Sequence, residues 1–98
     1  MTRDEIKTWV RDNSRLMCEP NFTDGEIDHI AMCLDHLLRW YKEGCSIGSF
    51  LTAVAKNDFW RACLNADDTN QKALHLYALF VCNHLNGDYI KKAETLKY

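Results

Sequence analysis

One proline and four glycines are all the chain break-formers in 98 residues. So few turn residues leave little room for the many short strands of a β-rich fold, and composition leans helical. No apolar run reaches the roughly 20 residues that cross a bilayer, so no membrane partner is expected. The N-terminus carries Asp4 and Glu5 and lacks an apolar core of signal-peptide length. Lys and Arg are scattered, and none occurs from Leu16 to Leu38. With a net charge of -2, this argues against a nucleic-acid coat. No C-x-x-C joins the five cysteines, Cys18, Cys33, Cys45, Cys63 and Cys82, and their spacing lacks the pairs of a zinc ribbon. Reduced thiols in a cytoplasmic protein, acting as small hydrophobes, are the simplest account. Phosphate-binding loops, dinucleotide fingerprints and nucleophile elbows are all missing.

What is present is an ordinary globular composition, 47% apolar and 27% charged, in a chain long enough for one domain spanning 1–98. From Ala73 to Cys82, nine of ten residues are apolar and only His75 is not. On a helix these side chains point in every direction, which calls for cover on every side. The stretch therefore reads as a buried central helix with the rest of the chain round it.

The remaining elements follow from caps and periodicity. Thr2-x-x-Glu5 is a capping box that opens a helix from about Arg3 to Met17, ended by Glu19-Pro20. Thr23-x-x-Glu26 opens a longer one, Asp24 to Glu43, closed by Gly44 in a left-handed cap. Ser46 or Ser49 caps a short helix to about Lys56. Asp58 caps Phe59–Leu64, Asp67 or Asp68 the central helix, and Asp88 a last short one from Tyr89 to about Lys97. The expected fold is an all-α compact bundle of about five helices, two long N-terminal, two short and one buried, plus a short C-terminal helix.

Three groups of residues are candidates for function. Asp24, Asp28 and Asp35 share one face of the second helix and form an acidic surface for a basic partner, or a solvated face of no special use. His29, Cys33, His36 and Trp40 form a semi-apolar row opposite the helix's core stripe. Such a row packs against another helix or a second subunit; His29, Cys33 and His36 also match zinc chemistry, but Trp40 extends the row where a metal has no use for it. The Ser49–Leu64 pair has the length of a helix-turn-helix, yet offers only Arg61 and Asn65 to read bases. No metal or cofactor is assigned, and no catalytic residue.

Gly48-Ser49-Phe50-Leu51-Thr52-Ala53-Val54, then Asn57-Asp58, then Ala66-Asp67 and Asn70, then Asn83, resembles a family of small bacteriophage and prophage proteins. That family's pattern is G-[GS]-F-L-x-A-V-L-x-N-D-L, then A-D-x-x-N, then an apolar helix ending in Y-N. The resemblance spans roughly Leu37 to Leu85, about half the chain. Ala55 and Phe59 stand where leucine is usual, and Cys82 where tyrosine is common. The resemblance implies a phage origin and a helical fold, with no activity attached. It singles out Phe50, Asn57, Asp58, Asp67 and Asn70, either as a polar ligand pocket at the helix junctions or as caps and core.

These readings converge on a non-enzymatic phage accessory protein that binds a host protein, of the host-takeover or anti-defence type. The alternative is a homo-oligomer holding a small ligand or metal between subunits. A DNA-binding regulator comes third.

Overall fold

The computed structural model describes residues 1–15 and 21–98. Seven helices and no strand occur among them: α1 (Arg3–Ser14), α2 (Asp24–Glu43), α3 (Ser49–Ala55), α4 (Phe59–Asn65), α5 (Asp68–Lys72), α6 (Leu74–His84) and α7 (Tyr89–Glu94). The chain is thus all-α, as its composition implies. None of the helices is long and apolar enough to cross a membrane.

Both capping boxes form. The Thr2 hydroxyl accepts the Glu5 N–H at 3.2 Å while the Glu5 carboxylate accepts the Thr2 N–H at 2.9 Å; Thr23 and Glu26 repeat the exchange at 3.1 and 3.0 Å. Each box satisfies two amides that the first helical turn leaves open. Gly44 closes α2 with φ 75°, a conformation that costs a side-chain-bearing residue about 1 kcal/mol. At the end of α1 the Asn13 amide donates to the Trp9 carbonyl and the Ser14 hydroxyl to that of Arg11. These side chains compete for the carbonyls of the last turn, where α1 ends. The expected continuation through Met17 and the Glu19-Pro20 stop, with Cys18, lie outside the described residues.

α2 is the centre of the bundle. Ile30, Ala31, Leu34 and Leu37 have no exposure at all. α1 covers one side with Ile6 and Val10, and α6 contributes Leu76, Tyr77 and Phe80 from another. At roughly 1.5–3 kcal/mol for each large apolar side chain, this set is the main source of stability.

Four expectations are corrected. The stretch capped by Asp67 is two helices: Asp67 caps α5, and Ala73 at φ -107°, ψ 7° turns the chain before α6. The apolar α6 is not covered on every side, since His75, Ala78 and Cys82 are exposed; five short helices cannot wrap both it and α2. No serine caps α3, whose N-cap is Gly48. Asp88 makes no cap to α7 because its carboxylate accepts the Tyr41 hydroxyl at 2.6 Å.

An ionic seam joins α1 and α2. Arg3 meets Asp35 at 2.8 Å and Lys7 meets Asp28 at 2.7 Å; Arg39 adds a second contact to Asp35 at 3.3 Å. The partners run in opposite chain directions, as antiparallel helices require. Asp35 has a side chain only 6% exposed. Burial alone would raise its pKa, but the Arg3 hydrogen bond and charge, with Arg39 behind, hold it below the ordinary carboxylate value.

His84 lies against Trp9 and Phe80, with ring centroids 5.5 and 4.7 Å away. Its Nε2 is buried and has no hydrogen-bond partner among the described residues. Burial, helped by the positive N-terminal amine, lowers its pKa below the usual 6.5.

Two tests follow from these contacts. Asp35→Ala strands Arg3 and opens a gap in the seam, and lowers the free energy of unfolding by about 1–3 kcal/mol, read as a shifted urea midpoint. His84, like the paired Asp35, has a lowered folded pKa, so its contribution is also lost as pH falls, but from a starting value near 6.5 instead of the carboxylate range. Its stabilising deficit is zero above about pH 6.5, where the unfolded chain is also neutral, and grows as pH falls towards its lowered folded value. His84→Phe therefore flattens the loss of melting temperature between about pH 7 and 5.

Candidate functional site

Helix ends bring the polar candidates together. Asp67 caps α5, accepting the Asn70 N–H at 2.8 Å on one carboxylate oxygen. Its other oxygen lies 2.7 Å from His29 Nε2 on α2. Asn70, buried at 4% exposure, accepts the Tyr77 hydroxyl at 2.5 Å and donates to Cys33 Sγ at 3.8 Å. Cys33 Sγ in turn lies 3.9 Å from His29 Nε2. Sequence spacing hid this set, since its members come from α2, the α5 cap and α6.

The set holds a thiol, an imidazole and a carboxylate, the residue types of a nucleophile pair with its orienter. Its wiring is different. Asp67 and Cys33 meet the same ring nitrogen, so the carboxylate cannot grip one side of the imidazole while the other side serves the thiol. Cys33 is buried at 8% exposure. Burial also pushes the Tyr77 phenol far above its ordinary pKa, so it remains a proton donor to Asn70. Asp67 is drawn the opposite way: burial would raise its pKa, but the Asn70 amide and His29 hold it below the usual value. The arrangement is a polar clasp between α2, α5 and α6. No three His, Cys, Asp or Glu side chains among the described residues gather into a group that could hold a metal ion.

The row on α2 accordingly splits. Cys33 and Trp40 are buried within this fold, at 8% and 6%, and are not offered to a second subunit. His29 is taken by Asp67, and only His36 is exposed. The acidic face splits as well, for Asp28 and Asp35 are occupied by α1 and only Asp24 stands exposed without a part in the seam. The signal for this lay in α1, where Arg3 and Lys7 recur one helical turn apart.

The family-pattern residues are engaged in the architecture. Asn57 sits at φ 54°. Its N–H bonds the Val54 carbonyl at 3.1 Å and the next N–H, of Asp58, bonds that of Ala53 at 2.8 Å. This is a Schellman closure of α3, with asparagine in the left-handed position that otherwise favours glycine. Asp58 then caps α4 through the Arg61 N–H at 3.3 Å and accepts the Tyr98 hydroxyl at 2.7 Å. The Tyr98 contact is the leading cause of its lowered pKa. Phe50 packs edge-on to Tyr77 at 5.1 Å.

A different surface is unclaimed. α4 leans on α3 and leaves Phe59 64%, Trp60 78% and Leu64 83% exposed. Spaced at i, i+1 and i+5, they make one apolar face. Beside it, α3, α4 and the open side of α6 enclose a groove of about 480 Å³, with Phe59, Ala62, His75, Ala78 and Cys82 among its lining. The helix-turn-helix reading loses its reader here. Arg61 is turned to Asp58 at 3.5 Å and stacks 4.0 Å over the Tyr98 ring, so α4 presents aromatics where base contacts would be needed.

No protein-family model, curated protein or solved structure matches this chain.

The clasp has its own test. Asn70→Ala leaves the Tyr77 hydroxyl buried without a partner and costs about 2–3 kcal/mol in chemical denaturation. Adding Tyr77→Phe removes the orphan, so the double variant is less destabilised than the two single losses added together.

Proposed function

We propose that this chain is a small non-enzymatic accessory protein of a bacteriophage that works in the host-cell cytoplasm by binding a host protein. The phage origin is supported by the resemblance over Leu37–Leu85. The binding role rests on one observation, the apolar face of α4 beside the α6 groove. A soluble protein keeps large aromatic side chains at such exposure chiefly where another surface covers them.

The acidic surface is a poor contact on the same grounds. Two of its three carboxylates already neutralise α1. Trp60 is the strongest candidate anchor, because tryptophan dominates the energetics of protein contacts when it enters a pocket.

Affinity capture from bacterial lysate, with bound proteins identified by mass, tests the reading with three baits. The wild-type chain retains a specific protein, Trp60→Asp loses it, and Asp24→Lys keeps it. Retention by Trp60→Asp together with loss by Asp24→Lys would return the contact to the acidic end of α2.

A further inference from the structure

We infer that the groove between α3, α4 and α6 is a binding site for a neutral, flat heteroaromatic molecule, with the Asn57 amide as its hydrogen-bonding anchor. The site goes beyond the host-protein contact and is separate from it. Trp60 and Leu64, on the outer face of α4, are not in the groove's lining, and of the three exposed side chains of α4 only Phe59 belongs to both.

Asn57 is the only non-glycine residue with a positive φ among the described residues, at 54°. The closure of α3 does not call for its side chain, since both bonds of that closure are made by backbone N–H groups. Glycine would hold the left-handed position with less strain. An amide kept there in spite of the strain points to a use outside the turn. Asn57 lines the groove, and it also lines a smaller cavity of about 310 Å³ between α3 and α7; Tyr89 is the other residue common to both. The strained residue thus stands where the open space of the molecule converges.

The groove's volume of about 480 Å³ falls within the roughly 300–1,000 Å³ of small-molecule sites, which are mostly apolar with a few placed polar groups. Ala53, Ala62 and Ala78, one each from α3, α4 and α6, bring small side chains to its walls. A flat ring can therefore lie close to the helix backbones. Phe59 and Tyr89 add aromatic rings for stacked or edge-on contact with such a ring.

The charges select a neutral ligand. No lysine or arginine is among the described residues of the lining, so a phosphate or carboxylate would lose its water without gaining a counter-charge. The one carboxylate, Asp58, is committed: it accepts the Arg61 N–H and the Tyr98 hydroxyl, and the Arg61 guanidinium lies 3.5 Å away. An ammonium group finds no free anion either. The Tyr77 hydroxyl is given to Asn70. The Asn57 amide, with His75 and Tyr89, remains to donate to and accept from ring heteroatoms.

Nile red, a neutral flat heteroaromatic dye that brightens in apolar surroundings, tests the site beside anilinonaphthalene sulfonate, an anionic dye of similar use. Each is titrated with the full chain up to about 100 μM, with helix content followed by circular dichroism. Nile red is expected to bind saturably, and the sulfonate at least about tenfold more weakly. Ala78→Trp, at an exposed position, fills the groove and loses Nile red at wild-type helix content. Asn57→Gly keeps the left-handed turn and weakens binding about tenfold, the loss of one hydrogen bond. Trp60→Asp leaves binding unchanged. The site is overturned by absence of saturable Nile red binding, by binding lost in Trp60→Asp but kept in Ala78→Trp, or by an Asn57→Gly variant that binds like wild type. Equal affinity for the sulfonate overturns the neutral ligand class. Capture of a host protein by a chain that does not bind Nile red overturns the groove site alone; Nile red binding by a chain that captures none overturns the host-binding reading alone.

Discussion

Ile30, Leu34 and Leu37 lose their solvent because α1 closes over one side of α2 while residues of α3 and α6 join the same apolar cluster from the rest of the chain. α1 opens the chain and α6 is the sixth of the seven helices, so the two are distant in sequence. The rest of the structure follows from the need to bring them to one place. The ionic seam sets the register of α1, since Arg3 and Lys7 can meet Asp35 and Asp28 together only in one antiparallel alignment. The clasp of His29, Cys33, Asp67, Asn70 and Tyr77 sets the approach of α5 and α6. The seam adds little apolar burial, whereas the clasp brings Tyr77 and Cys33 into the core with it. Both decide which apolar faces meet.

Once α2 is enclosed, little chain remains to enclose anything else. A domain of this size buries a modest share of its surface, and the shortage falls on α6 and α4. The helix with the greasiest sequence keeps one side open, and the next most aromatic one rests on α3 with three large side chains outward. This is a consequence of covering area, not of local sequence.

Local signals were legible in the sequence and global ones were not. Thr2, Thr23, Gly44, Asp58 and Asp67 mark helix ends through chemistry that acts within four residues, and each does so in the structure. The division at Ala73 escaped because leucine, alanine and histidine on either side are all compatible with an unbroken helix. Asp88 looked like a cap, but Tyr41 competes for its carboxylate from 47 residues away. The row from His29 to Trp40 is not a separate face, since Cys33 and Trp40 belong to the core. Which neighbour it met depended on α5, a helix the spacing of apolar residues does not reveal. Of the clasp, His29 and Cys33 are legible from helical spacing and Asp67 and Asn70 from the family resemblance, while Tyr77 is not singled out, and what joins them, a cap aspartate reaching across to another helix, has no signature along the chain.

The C-terminal helix is attached in another way. α7 buries a single residue, Ala93, and is held instead by two lysines. Lys56 donates to the Ala93 and Leu96 carbonyls at 3.2 and 3.0 Å, and Lys92 donates to the Tyr41 carbonyl at 2.7 Å while lying 4.4 Å over that residue's ring. A segment fixed by a few hydrogen bonds at its margins opens at lower free energy than the core does. Tyr89 and Leu96 add partly buried contacts to the core, so the attachment of α7 is part polar and part apolar. Because its Tyr89 also lines the α4–α6 groove, the two ammonium groups that hold α7 also fix one edge of that groove.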